Sequence, residues 1–440
     1  MTTRRDFLVG AAAGLTAALA PPLTATASAK KAAAARPAPK DWAGVRAQFR
    51  LRKDRIHLAG MLFASHPRPV RDAIEALRDR FDADPVGAIE GTLERGMDDD
   101  VRRAIVAYTG GTIEDVMLTD STTMGLGLVY GGLRLAPGDE ILTSIHDHYS
   151  TFTALRSAAA RTGAKVRAIP LYADGLTADA TQIVAALAGA ITATTRVVAL
   201  TWVHSSSGVK LPIRKLADAI ATVNARRDAR TQVLFVVDGV HGFGVEADRV
   251  ADLGCDVFIT GCHKWLLGPR GTGFVWARPT AWPRITPIIP SFEQAPFEAF
   301  VAGHEPPTNV SAARLGTPGG FHSFDHRYAL PAAFTFHTQL GPARIAARLH
   351  ELASQVKAGL AQMKHVTLHT PAAPELSAGI VCYSVAGLTP DEVVKRLAAR
   401  KIVSTNSPYP VSYARLTPAL WNTPGELDTA LAAVRALAAS

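Results

Sequence analysis

Between residues 115 and 277, seven short apolar runs alternate with stretches patterned for helices, and few architectures accept that alternation. The runs are DVMLT (115–119), EILTS (140–144), AKVRAI (164–169), RVVALT (196–201), TQVLFVV (231–237), DVFIT (256–260) and GFVWA (273–277). Each has the length of a strand, and their apolar character suits strands covered on both faces. Between them, segments such as TADATQIVAALAGAI (177–191) and PIRKLADAIATVNARR (212–227) repeat apolar residues at helical spacing. Crossover helices over a mainly parallel seven-stranded sheet follow, an α/β class. The strand ends then share one rim, where open α/β sheets bind their ligands.

Polar residues gather just past those runs. Ser121, Thr122 and Thr123 follow the first, His146 to Ser150 the second, Ser205 to Ser207 the fourth; Asp238 follows the fifth, and His263 and Lys264 follow the sixth. Taken singly, each has an ordinary explanation: a helix N-cap for the triplet, a turn for Asp-Gly, a solvated surface position for the lysine. Together they have a chemical one. A lysine amine can form a Schiff base with the aldehyde of pyridoxal phosphate, while a carboxylate keeps the pyridine nitrogen protonated, so that the ring withdraws electrons from a substrate α-carbon. Hydroxyls and free amides at a helix start suit the phosphate. A nicotinamide enzyme is disfavoured, because no G-x-G-x-x-G follows the first strand. The three cysteines, Cys255, Cys262 and Cys382, lack metal-site spacing and read as small buried hydrophobes.

Towards the C-terminus a helical pattern begins near Phe321, with Pro331 and Gly341-Pro342 as expected breaks or restarts. A strand at 378–385, a helix opening at Thr389-Pro390-Asp391-Glu392, a strand region at 401–405 and a last helix predict a smaller α+β domain. The expected division is a large domain over 56–310 and a small one over 311–440, preceded by a linker and arm over 30–55. Residues 1–29 read as a twin-arginine signal: Arg4-Arg5, a short alanine-rich apolar stretch, then Ala27-Ser28-Ala29 as a cleavage site. The twin-arginine export machinery is thus an expected partner, with a periplasmic or secreted destination. The net charge of +9 drops to +8 without that segment, since Arg4 and Arg5 outweigh Asp6 by one. Dispersed Lys and Arg argue against nucleic acid.

The block His263-Lys264-Trp265 with Gly268-Pro269-Arg270-Gly271, the pair Asp238 and His241, and Arg314-Leu315-Gly316-Thr317-Pro318 occur in an order that resembles the class V family of aminotransferase-fold enzymes, over roughly residues 55–435. The resemblance implies fold type I, pyridoxal 5'-phosphate and a homodimer with shared sites. It implies Lys264 as the Schiff-base residue and Asp238 on the pyridine nitrogen, with His241 at the ring hydroxyl. Ser121, Thr122, Thr123 and His263 would hold phosphate, and Thr317 would reach the neighbouring subunit's phosphate. His148 matches the residue stacked on the ring, with His146 and Tyr149 as competitors for the register, and Ser205 falls near a ring-contacting position. Arg415 matches the clamp on the substrate carboxylate. Two departures stand out. Thr260-Gly261-Cys262 replaces the family's serine before the His-Lys pair, and KIVSTNSPYPVSYAR lacks the nucleophilic cysteine that desulfurases carry shortly before the arginine. With the WVHSSSG segment and the Arg-x-Thr-Pro ending, the motifs look most like isopenicillin N epimerase-like proteins. The implied activity is at the α-carbon of an amino acid or amino-acyl compound: epimerisation, or alternatively transamination or lysis. Epimerisation would need a second proton donor, with His146, His148, Tyr149 and His204 as candidates. A non-catalytic cofactor binder is the remaining alternative, though such a protein has no need of Asp238, Lys264 and Arg415 together.

Overall fold

The computed structural model describes Pro39, residues 41–94 and residues 96–437; the expected export signal lies outside them. After a two-residue strand β1 (Ile56–His57), the central sheet is built from β2 (Val116–Thr119), β3 (Glu140–Ser144), β4 (Lys165–Ile169), β5 (Thr195–Thr201), β6 (Leu234–Asp238), β7 (Val257–Gly261) and β8 (Gly273–Ala277). All seven predicted runs are therefore strands, in the order β2-β8-β7-β6-β5-β3-β4. Only β8 runs antiparallel to its neighbours, so the sheet is mainly parallel, as expected.

Period-two alternation explains why these strands are apolar throughout. Along β6, Leu234 and Val236 point into one buried cluster while Phe235 and Val237 point into another. Val257 and Ile259 of β7 join the first cluster, and Phe258 the second. Helices cover both faces: Thr122–Gly132 and Tyr149–Thr162 supply Leu126, Val129 and Leu155 to one, and Ile213–Asn224 supplies Leu216 and Ile220 to the other.

The C-terminal part carries a second sheet. Strands β9 (Val366–Leu368), β10 (Val381–Val385), β12 (Thr405–Asn406) and β13 (Ala414–Leu416) form an antiparallel sheet ordered β12-β13-β10-β9, while β11 (Ile402–Val403) pairs in parallel with β1. The predicted strand at 401–405 is thus two, because the chain changes partner at Ser404: Val403 sits opposite His57 and Thr405 opposite Arg415. A separate core, including Val356, Tyr383, Leu397 and Leu427, packs the helices Pro342–Ala361, Pro390–Ala399 and Pro424–Arg435 onto this sheet. The helix predicted at Thr389 begins there, with Thr389 as N-cap and Glu392 closing a capping box.

One expectation fails. Pro331 does not interrupt its helix, which runs unbroken over Phe324–Leu340. An internal proline costs about 3 kcal/mol, yet the helix buries Leu330, Phe334 and Phe336, each worth roughly 1.5–3 kcal/mol. Packing outweighs the break, and the chain turns instead at Gly341, whose φ of 88° a side chain would resist, just before Pro342 opens the next helix.

Candidate active site

A cavity of about 250 Å³ opens at the ends of β2, β3, β5, β6 and β7, and Tyr409 and Arg415 from the C-terminal sheet region complete its wall. Asp238 is the last residue of β6, so its carboxylate emerges where the ladder ends; one oxygen accepts from the Val240 amide at 3.1 Å. Burial pushes this carboxyl up to about 6, against the pull of the Val240 bond and of Lys264. Lys264 follows β7 on a tight turn closed by Leu267, a non-glycine residue held at φ 60°. Such backbone is strained for a leucine and persists because Leu267 is packed in the core. Burial pulls the Lys264 amine down to about 8, opposed by the attraction of Asp238. His241 approaches it, with Nε2 at 3.4 Å from Lys264 Nζ. The Trp265 indole N–H donates to His241 Nδ1, which leaves the imidazole proton on Nε2, facing the amine. Burial keeps His241 neutral, well below its ordinary value.

The Ser121-Thr122-Thr123 triplet divides its work. Ser121 is the N-cap of the helix Thr122–Gly132, its hydroxyl accepting from the Met124 amide at 3.1 Å. Thr123 reaches Ser150 at 3.4 Å. The Thr122 hydroxyl is buried with no partner, and so is Nδ1 of His263. Both groups surround Gly261, where an added Cβ would lie 3.0 Å from the Thr122 hydroxyl oxygen and 3.0 Å from His263 Cε1. The departure noted at Thr260-Gly261-Cys262 therefore leaves a polar cradle that a serine side chain would fill.

Arg415 sits in β13, where the ladder to β10 and β12 holds its backbone. Its guanidinium donates to Thr405 Oγ1 at 3.1 Å, to the Ser205 carbonyl at 3.0 Å and to the Asn406 carbonyl. All three acceptors are neutral. No carboxylate among the described residues pairs with it, and burial pulls its pKa down. A buried cation without an anion is costly unless one binds, so the arrangement calls for a carboxylate ligand. The Ser205 hydroxyl meets the Tyr409 hydroxyl at 2.8 Å, and the Tyr409 ring stands edge-on to His148, centroids 5.9 Å apart.

Of the competing residues after β3, His148 lines the cavity, whereas His146 stacks on Tyr172 at 3.8 Å and Tyr149 is 72% exposed. His204 is fully buried behind them, its Nδ1 bonded to the Tyr172 hydroxyl. Apart from Thr317, every residue singled out from the sequence as a cofactor or substrate contact lines the one cavity. Thr317, expected to reach the neighbouring subunit's phosphate, lies outside this chain's cavity; its hydroxyl accepts from Arg102 and the Leu118 amide and donates to the Ala313 carbonyl. Sequence reasoning missed Tyr409; Met61 and Leu62 come from the loop MLFASHPRP (61–69), which the sequence marks as one that shapes the side-chain pocket without a readable preference. Tyr409 lies in the stretch 401–415 that lacks the desulfurase cysteine, where no local pattern marks a tyrosine as part of the site.

Residues 93–406 match the profile of the aminotransferase class-V family. The chain belongs to that family. Among class-V relatives, the isopenicillin N epimerase of Streptomyces clavuligerus is 29% identical over 350 residues, covering 76% of this chain and 83% of that protein. A probable cysteine desulfurase of Halalkalibacterium halodurans is 25% identical, covering 78% and 81% respectively. Among solved structures, the cystine C–S lyase C-DES in complex with cysteine persulfide superposes with a TM-score of 0.78 at 23% identity, over 87% of this chain and 98% of that one. The class-V cofactor is pyridoxal phosphate, and this cavity fits it. It offers a half-buried amine, a buried carboxylate and two unpaired buried polar atoms around a glycine, one of them at a helix start.

Proposed function

We propose that the protein acts at the α-carbon of an amino acid or amino-acyl substrate as an epimerase-like class-V enzyme. The observation that carries this reading is the convergence of Lys264, Asp238 and an anion-free Arg415 on one cavity. Pyridoxal phosphate, when bound, supplies an aldehyde for the substrate amine and a sink for charge developing at the α-carbon. Thr122, His263 and the first amides of the helix Thr122–Gly132 would hold its phosphate, and Asp238 its ring nitrogen. Arg415 fixes the substrate carboxylate through its planar fork of donors. Lys264, once its amine is free and neutral, removes the α-proton; its pKa, lowered to about 8, brings that neutral form within reach at mildly alkaline pH instead of near 10.

Desulfurase chemistry through a protein thiol has no support here. Cys255, Cys262 and Cys382 are all buried and outside the cavity, and burial holds each thiol well above its ordinary value. Inversion needs a second proton carrier; the cavity wall offers His148 and Tyr409, whereas His146 and His204 lie behind it. Borohydride reduction and peptide mapping of cofactor-loaded protein should find the adduct at Lys264. Chiral analysis beside a keto-acid assay tests the reaction: inversion of the α-carbon is expected, and keto acid without inversion would convert the assignment to a transaminase.

The same proposal includes export by the twin-arginine route and a homodimer. Exposed Phe292, Phe297 and Phe300, on or beside the helix Gln294–Val301, which buries none of its own residues, support a face covered by a second copy.

A further inference from the structure

Two contacts at the cavity wall join Lys264 to its chain neighbour Trp265 through His241. The Trp265 indole N–H donates to His241 Nδ1 at 3.4 Å, and His241 Nε2 stands 3.4 Å from Lys264 Nζ. Packing fixes both rings. Trp265 is 3% exposed and His241 5%. The turn that carries His241 is closed by the Phe243 amide donating to the Gly239 carbonyl at 2.8 Å, and Gly242 has no room for a side chain against Trp202.

Proton counting leaves one arrangement in which both contacts are hydrogen bonds. An indole nitrogen only donates, so His241 Nδ1 must be bare and the ring proton sits on Nε2. That N–H then needs a lone pair on Lys264 Nζ, which a neutral amine has and an ammonium lacks. The other tautomer would let an ammonium donate to Nε2, but it would set the Nδ1 proton against the indole proton and leave buried donors unmatched. A doubly protonated ring is opposed by burial and by Lys264, Arg415, His148 and His263 around it. Around the amine itself, Asp238 favours the ammonium while burial and Arg415 oppose it.

We infer that Trp265 is a positioning residue: its indole N–H fixes the tautomer of His241 and, through it, selects the neutral form of Lys264, the form able to attack an aldehyde or take a proton. The inference rests on the proposed function, which makes Lys264 the reacting amine, and it adds a directional hydrogen bond to burial as a cause of that amine's neutrality.

Trp265→Phe keeps a ring against Gly379, where the indole packs, and removes the N–H. In the full-length protein freed of cofactor, the pH dependence of Lys264 acetylation by acetic anhydride, read by mass spectrometry of its peptide, should move its midpoint up by about 0.5–1 pH unit in this variant, the worth of one hydrogen bond. In a His241→Leu background the same change should leave the midpoint where that background puts it. Nitrogen-15 NMR of the histidines in the unaltered protein, with and without cofactor, should show His241 with a bare Nδ1 and a protonated Nε2, a result that does not depend on the variant folding. An unmoved midpoint in Trp265→Phe, an equal shift when His241 is absent, or a proton on His241 Nδ1 would each overturn the inference and leave the proposed function standing. Failure to trap an adduct at Lys264 with borohydride would remove the proposed function instead.

Discussion

Gly239 follows the carboxylate that ends β6, and its lack of a side chain is a packing requirement: a Cβ there would lie 1.9 Å from Cζ of Phe258. Gly239→Ala should therefore destabilise the protein by about 1–3 kcal/mol, read as a lower urea midpoint. Arg415 admits an equally specific test. A lysine cannot reach three neutral oxygens and still present a fork, so Arg415→Lys should weaken apparent substrate affinity about 10–100-fold, the worth of a charged hydrogen bond, read by titrating the cofactor-loaded protein with amino acids and following the cofactor's absorption. At Lys264 the direction of the pKa shift sets the pH dependence. Burial lowers the amine from 10.5 to about 8, so the neutral, nucleophilic form accumulates as pH rises through about 8. The rate of cofactor incorporation should rise with pH and level off above that value; a rise continuing towards pH 10 would contradict the lowered amine.

At the level of elements, the helix Thr122–Gly132 shows why three adjacent hydroxyls are not interchangeable. Ser121 caps the helix, so Ser121→Ala should cost about 1 kcal/mol of stability. Thr122 has no partner, so Thr122→Val should leave the unfolding midpoint nearly unchanged while cofactor affinity falls about tenfold or more, the loss of one bond to an anion. Equilibrium dialysis against cofactor, beside urea titration, separates the two. The triplet itself was legible in sequence, because a strand end and a helix start are chain neighbours. The division of labour inside it was not, because it depends on Gly261 and His263 arriving from β7. Pro331 teaches the complementary lesson: a local rule predicts a break, and burial of Leu330, Phe334 and Phe336 overrides it.

For the whole molecule, two buried clusters sandwich the central sheet and a third fills the C-terminal sheet region, with the cavity where Arg415 faces the strand ends. Export belongs at this scale: replacing Arg4 and Arg5 by lysines should retain the protein in the cytoplasmic fraction, and unchanged export would refute the twin-arginine route. The seven apolar runs, the rim they create and the order Asp238, Lys264, Arg415 were determined by sequence alone, because strand formation and strand-end exposure follow from local periodicity. Tyr409 joined the site only through tertiary structure, and so did the exact placement of Met61 and Leu62, whose loop alone was legible as part of the side-chain pocket. They come from the segment before the first sheet strand and from the loop before β13, and contacts across hundreds of residues leave no periodic trace in the chain. The same distance hid the intrachain bonds of Thr317 to Arg102 and the Leu118 amide, about 200 residues earlier.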